Sequence, residues 1–497
     1  MTAGVPAPGG GVVGAIDPVM VEQSTGRGAR GIVVAAAPGA AAIGSALLRS
    51  GGNAYDAVVA ALLAESVLLP PKCGLAGDLV ALTLGPGEQA PSSLLAIGGA
   101  PRRLADEVRR RGSLADTGPL SVGVPGAPAG YAALAERATQ PLSCLAAPAI
   151  ALARDGFAWA PICATLAIES QQLVDEHNPA GTRYYPSGRP LAPGELVSLP
   201  GLVRVMEAFV ARGERLFQGR LGELVAERVQ AAGGVIDVED FELADASWSG
   251  CPSRAIGRSG WRVYATPAPT HGVSLLDAVS ALADRSVAGD VLRSVTAAEA
   301  RRDRPGLVGR SDSTSMVSAA DSVGNVVVAM HSNSYPRFGS GLIVDELDLI
   351  LSNRAGRGFT PVPGHPNFPN PGQRPSTTLH LWAAGYRGEI SHLGGTPGGV
   401  NQMCWNAQTL RNLFAGETAP GALTVAPRWE KAAPGAPVPV EEGLSTDDVD
   451  SLRCTGEVVE VPRWGLRSAT QVIRRPVPGS ALIGGVDPRT GGLALGV

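Results

Sequence analysis

The stretch AYDAVVAALLAESVLL, Ala54 to Leu69, is apolar nearly all the way round a helical wheel and follows the breaker Gly51-Gly52-Asn53. A helix with one apolar stripe can lie on a surface, but a helix without a polar face has to be covered on every side. The chain must therefore fold in layers. Ala40 to Arg49 predicts a second, shorter helix just before it. Asp56 reads as a residue of the helix N-terminus, where a carboxylate complements the helix dipole. Helical patterns return over 130–155 and 200–232, and strands are predicted at Leu79 to Leu84 and Trp261 to Thr266. From Ser315 onward the pattern changes: Met316 to Ala320 and Val326 to Met330 flank Asp321-Ser-Val-Gly-Asn325, a turn of hairpin composition. Further strands are predicted at Leu379 to Ala383 and Gly388 to Leu393, after a proline-rich loop from Pro361 to Pro375. A helix-rich half followed by a strand-rich half predicts an α+β body with helices packed over antiparallel sheets. Residues 1 to about 30, rich in Gly and Pro, predict an irregular arm.

Charge and composition exclude several function classes. A net charge of −4, with no Lys/Arg cluster interleaved with aromatics, argues against nucleic acid as a partner. The only lysines are Lys72 and Lys431, a bias toward arginine that fits a GC-rich genome. Cys73, Cys144, Cys163, Cys251, Cys404 and Cys454 form no CxxC pair and no regular spacing, so they read as buried free thiols, with neither a zinc site nor a disulfide framework. No apolar run reaches the length of a membrane helix and no signal peptide is visible, so the expectation is a cytoplasmic protein without a membrane partner. Glycine-rich loops are present, but neither GxGxxG after a strand nor a Walker lysine accompanies them, so no nucleotide cofactor is implied.

Standard catalytic constellations are missing as well. There is no GxSxG elbow, no HExxH and no HxE…CxxC, and the histidines His177, His271, His331, His365, His380 and His392 are too dispersed to define a triad. What remains is GRSDSTSMVSAADSVGNVVV, residues 309–328, where Ser311, Ser313, Thr314 and Ser315 crowd the mouth of a strand. Read in isolation, this run fits a polar loop opening a hairpin better than a nucleophile. A hydroxyl at the first position of a strand can nevertheless act without histidine if the chain is cut just before it, because the freed α-amino group then serves as base.

Eight separate segments, in order, decide between these. They are VVAAAPGAAAIGSALLRSGGNAYDAVVAALLAESVLLPPKCGLAGDLVAL, VGVPGAPAGYAAL, QAAGGVIDVEDF, the 309–328 stretch with FGSGLIV, then LSNRAGRGF, PGQRPSTT, GGTPGG and GGVDPRTGG. Over nearly its full length the chain resembles the γ-glutamyltranspeptidase family of N-terminal nucleophile hydrolases. The resemblance implies a four-layer αββα fold and self-cleavage between Ser313 and Thr314 into a large subunit, 1–313, and a small one, 314–497. With Asp321 and Gly324-Asn325 setting the register, it puts Thr314 at the nucleophile position and Ser332 at that of a hydroxyl bonded to it. Gly398 and Gly399 fall on the family's oxyanion-hole glycines. Neither cofactor nor metal is implied.

The departures bear on the substrate. Ile97 stands where the family's carboxylate-binding arginine is expected, Thr377-Thr378 replaces a Ser-Ser pair, and the loop Asn353-Arg354-Ala355-Gly356-Arg357-Gly358 contains no carboxylate. HSNSYPRFGSGL and SNRAGRGF resemble a divergent branch that includes oxamate amidohydrolase-like enzymes and natural-product homologues that hydrolyse a C–C bond. On that likeness Arg354, Arg357, Asn353, Asn333, Thr377 and Thr378 form the substrate site for a small oxalyl-type acid, with cleavage of an amide or a C–C bond left open. Two alternatives stand beside this: γ-glutamyl transfer or hydrolysis on glutathione-like substrates, and an unprocessed pseudoenzyme acting as a scaffold.

Overall fold

Alternation along Thr314–Asp321 sorts its side chains between two different cores, which places this strand in the middle of a layered body. The computed structural model describes residues 16–283, 285–302 and 313–497. Met316 and Ala320 enter one apolar cluster, while Val317 and Ala319 enter another on the opposite face.

Two seven-stranded sheets carry the architecture. The first runs, in spatial order, Leu493–Gly496, Gly31–Ala35, Thr314–Asp321, Val326–Ser332, Asp78–Leu84, Ser92–Ala96 and Ser247–Gly250, with every pair antiparallel. The second runs Thr25–Gly28, Leu482–Val486, Gln471–Arg474, Glu389–Gly395, Trp382–Tyr386, Trp261–Ala265 and Ser253–Ala255, again antiparallel throughout. Ile32, Val34, Val80, Leu82, Met316 and Met330 of the first sheet face Ala383, Leu393 and Ile473 of the second. Helices Pro38–Arg49 and Ala54–Leu68 cover the outer face of the first sheet; Gly272–Ser280, Ala288–Ala300 and Gln402–Phe414 cover the second. The fold is the expected αββα sandwich, and burial of central strands on both faces explains their near-continuous apolar character.

The all-apolar helix Ala54–Leu68 is buried as its composition demands. Asp56 closes a capping box with Asn53 and also accepts from Thr139 Oγ1 at 2.7 Å and the Gln140 N–H at 2.8 Å, so its structural reading holds. Asp321 accepts the N–H groups of Val323, Gly324 and Asn325 through one oxygen and that of Ala54 through the other. It therefore locks the hairpin behind Thr314 and seats the helix N-terminus on it.

Three expectations are corrected. Within the predicted N-terminal arm, Pro18–Gln23 is a helix and Thr25–Gly28 an edge strand of the second sheet, because Leu482–Val486 offers an open ladder there; residues 1–15 lie outside the described residues. The predicted strands 379–383 and 388–393 fall at Trp382–Tyr386 and Glu389–Gly395, since Arg387 and Gly388 take positive φ values of 50° and 93° and form the hairpin turn between them. Cys144 and Cys454 are exposed at helix ends, whereas Cys73, Cys163 and Cys404 are buried and Cys251 partly so; all six are free. Burial pushes the Cys163 and Cys404 thiols up to about 12, which keeps them protonated and inert.

Burial also holds His380 and His392 down at about 4, against an ordinary 6.5, and lowers His271 further. A depressed folded pKa means the unfolded chain takes up the proton first, so stability present above pH 6.5 is lost as pH falls toward 4. Asp348, pushed up to about 6 by burial, acts in the opposite sense and offsets part of the loss. Urea unfolding at pH 7 and pH 4.5 is expected to reveal a net loss of several kcal/mol at the lower pH; equal midpoints would contradict the burial of neutral imidazoles.

Candidate active site

Thr314 opens its strand directly opposite Ser332, so the two side chains share a face. Their hydroxyl oxygens are 2.9 Å apart. Ser332 Oγ also lies 3.0 Å from the Ser313 carbonyl oxygen and receives the Ser334 N–H at 3.0 Å. A serine hydroxyl has one proton and two lone pairs. The proton must go to the Ser313 carbonyl, which cannot donate, and the Ser334 N–H takes one lone pair. The other receives the Thr314 O–H. The Thr314 hydroxyl and the carbonyl ahead of it are thus joined through one intervening oxygen. Ser334 holds this with φ of 70°, a left-handed conformation uncommon for a residue with a side chain. The linker ahead of Ser313, including Ser311, lies outside the described residues.

Thr314 is 5% exposed, at the floor of a cleft. Ser332, Ser334, Tyr335, Arg354, Arg357, Ser376, Thr377, Thr378, Gly399 and Val400 line it as well. In the GGTPGG loop, Gly398 and Gly399 have φ of 147° and 52°, and a Cβ on Gly398 would sit 2.2 Å from the Trp405 ring. Only glycine fits there. Their carbonyls accept from the Asn401 and Gln402 N–H groups at 3.0 and 3.2 Å, whereas their own N–H groups meet no acceptor among the described residues. Gly399 lines the cleft; Gly398 packs behind it.

The arginines are placed by acids from other segments. Arg354 starts the short helix Arg354–Gly358, and its Nε donates to Asp78 Oδ2. Asp78 Oδ1 accepts the Gly98 N–H at 2.7 Å, and Asp78 pairs in register with Ser332. Only 6% of the Arg354 side chain is exposed, and its two terminal nitrogens meet no protein acceptor among the described residues while the residue lines the cleft. Arg357 pairs with Asp116 at 3.0 Å and lies 5.0 Å over the Tyr335 ring. The 353–358 loop lacks a carboxylate, as read from the sequence, but its arginines are not without acids: Asp78 and Asp116 come to them through the tertiary fold.

Two of the expected substrate residues point elsewhere. Asn333, just past the strand that ends at Ser332, donates to the Pro70 carbonyl at 3.1 Å. Asn353 donates to the carbonyls of Asp116, at 2.7 Å, and Tyr335. Both hold loops and neither lines the cleft. Thr377 and Thr378 do line it. The Thr378 carbonyl accepts from His380 Nδ1 at 2.7 Å, and Asn406 donates to His380 Nε2 at 2.9 Å, so this imidazole is a neutral prop for the wall. Ile97, at the expected arginine position, is buried between the sheets. Sequence reading missed Ser334, Tyr335, Ser376 and Asp78; only Asp78, a lone acid entering an apolar strand, carried a signal. Glu65, Cys73 and His331 cluster behind the sheet, but Glu65 already accepts from Ala36, Ala37 and His331, and His331 reaches on to Tyr131 at 2.7 Å, which is a buried prop for the strand.

A hydroxyl at a strand start between two helix-covered antiparallel sheets, with a glycine loop from the second sheet closing its cleft, defines the architecture of the N-terminal nucleophile hydrolases. The profile described as Gamma-glutamyltranspeptidase matches residues 40–299 and 288–497, and the chain belongs to that family of enzymes. The "Acylase ACY 1 proenzyme" of Pseudomonas sp. (strain V22) is 28% identical, covering 89% of both chains. The "Glutathione hydrolase proenzyme" of Escherichia coli (strain K12) is 25% identical, covering 93% of this chain and 91% of its own. Among solved structures, cephalosporin acylase from Bacillus halodurans superposes with a TM-score of 0.83 at 26% identity, covering 95% of this chain and 97% of that one. No helix among the described residues is long and apolar enough to cross a membrane.

Proposed function

We propose that the chain cuts itself between Ser313 and Thr314 and then works as an acylase on a small acidic metabolite of oxalyl type, through an acyl ester on Thr314. The single observation that carries the processing step is the chain of contacts from Thr314 Oγ1 through Ser332 Oγ to the Ser313 carbonyl. Thr314 Oγ attacks the Ser313 carbonyl carbon while its proton passes to Ser332, whose own proton moves onto the developing oxyanion. Collapse breaks the C–N bond, the Thr314 nitrogen takes up a proton, and Ser313 is left esterified to Thr314 Oγ. Water then releases the Ser313 carboxylate. In the mature enzyme the freed α-amine takes the Thr314 proton as the same oxygen attacks substrate, and the N–H groups of the Gly398-Gly399 loop receive the oxyanion. The relatives named as acylase proenzymes support both processing and an amide as the scissile bond.

The substrate class rests on Arg354. With Nε held by Asp78, its two terminal nitrogens form a planar fork facing the cleft, the geometry that a carboxylate accepts bidentately. Asp78 itself is buried behind that arginine with both oxygens engaged, so among the described residues no cleft-lining carboxylate is available to a substrate ammonium. An anionic acyl group without an α-amine suits this arrangement better than a zwitterion.

A second reading, γ-glutamyl hydrolysis, is favoured by the relatives named glutathione hydrolases. The two separate in one assay, a comparison of oxamate and related 2-oxo-acid amides with glutathione and γ-glutamyl anilides on processed enzyme. An ammonium left unpaired beside a cationic cleft forfeits roughly 1.5–3 kcal/mol or more, so kcat/KM for γ-glutamyl compounds is expected at least about tenfold to a hundredfold below that for the oxalyl amide. Efficient, saturable turnover of glutathione with none of oxamate would reverse the order of the two readings.

A further inference from the structure

The two halves of this site come from different sheets. Thr314 stands on the first, while the Gly398-Gly399 loop leaves the end of Glu389–Gly395 on the second. The layer between them, with Met316, Met330, Leu393 and Ile473, is apolar. Such contacts are non-directional and do not by themselves fix how one sheet sits on the other. We propose that Gln471 is the positioning residue that sets the nucleophile against the glycine loop; this rests on the reading of Thr314 as nucleophile.

Gln471 belongs to the second sheet, where its backbone pairs with Gly395, the last strand residue before the loop. Its side chain crosses to the first sheet. Nε2 donates to the Met316 carbonyl at 2.6 Å, and Oε1 accepts from Ser318 Oγ at 2.9 Å. Met316 is two residues from Thr314. The ladder to Gly31–Ala35 begins only at Val317, so Met316 lies beyond its end, where a buried carbonyl needs a partner of another kind. Gln471 is 1% exposed, so no water competes for these bonds. Each amide atom has one partner of the right polarity, and a slide of the sheets would weaken both bonds together. The segment leading into Gln471 also holds the loop, through the Ala469 N–H to Thr396 Oγ1 at 3.2 Å. The other amide crossing nearby, Gln402 Nε2, meets the thioether of Met330 at 3.5 Å, a weak acceptor.

Displacing a nucleophile from its oxyanion donors by about 1 Å costs on the order of a hundredfold in rate. Gln471→Leu is therefore expected to lower kcat of the processed enzyme by about tenfold to a hundredfold while leaving KM unchanged, and to leave self-cleavage in place, since the donor for that step, Ser332, stands on the same sheet as Thr314. Since it also orphans two buried polar groups, its reference is Leu452→Ala, a cavity variant in the outer helical layer with a comparable fall in Tm, which should keep wild-type kcat. Gln471→Glu adds a readout that packing alone would not move. Its carboxylate repels the Met316 carbonyl at neutral pH, but the protonated acid donates to it, so the ratio of variant to wild-type kcat should rise as pH falls. The inference is overturned if Gln471→Leu is no slower than Leu452→Ala, or if the Gln471→Glu ratio is flat with pH. A Thr314→Ala control keeps the two readings apart: turnover surviving in it would defeat the nucleophile assignment, and the positioning role with it, whatever Gln471 does.

Discussion

Purified protein left to mature is expected to separate under denaturing conditions into two chains, residues 1–313 and 314–497, and Thr314→Ala is expected to remain a single chain. Intact mass measurement reads both directly. Ser332→Ala removes the hydroxyl that joins Thr314 Oγ1 to the Ser313 carbonyl, leaving the attacking group without its proton acceptor and the carbonyl without its donor. Loss of one preorganised donor to a developing oxyanion costs about 10²–10³ in rate, so the variant should process slower than the wild type by about that factor. Ser332→Thr, which keeps the hydroxyl, should process far faster than Ser332→Ala. An uncut wild-type chain after prolonged incubation would turn the interpretation toward an unprocessed scaffold, and cleavage at any other bond would remove Thr314 from its role.

The second large effect is expected at Arg354. One nitrogen of its guanidinium is engaged by Asp78, and the two terminal ones meet no protein acceptor among the described residues while the residue lines the cleft, so the side chain is suited to two jobs that a lysine, with a single nitrogen, cannot do together. Arg354→Lys should lower kcat/KM for the oxalyl-type substrate by about tenfold to a hundredfold, chiefly through KM if the carboxylate is bound equally in ground and transition states. Self-cleavage should survive, because neither Arg354 nor Asp78 contacts Ser313 or Thr314 through any hydrogen bond described above. Unchanged kinetics in the variant would mean that the Asp78–Arg354 pair only supports the cleft wall and that the carboxylate binds elsewhere.

Local pattern carried much of the architecture. An all-apolar helix can only be buried and an Asp-Ser-Val-Gly-Asn turn between two apolar runs reads as a hairpin, so layers and hairpin were legible, while the glycine loop was singled out only through the family resemblance. The hydroxyl run was legible as a strand mouth, but its chemistry became so only through the family resemblance. Where prediction slipped, longer-range packing was responsible: Thr25–Gly28 became a strand because a distant edge was open to it, and the 382–395 hairpin shifted because its turn sits at Arg387-Gly388.

For this protein, then, the order of residues by itself determined the fold class, the family and the candidate nucleophile, since each depends on periodicity or on motifs contiguous in the chain. Only the tertiary structure decided which side chains meet there. Asp78 reaches Arg354 across 276 positions and Gln471 reaches Met316 across 155, separations over which no local periodicity carries information. Asn333 and Asn353, adjacent in sequence to cleft residues, were turned away by the loop carbonyls that claimed them. Proximity in the chain fixes what a residue is next to, and the sheet register fixes what it faces.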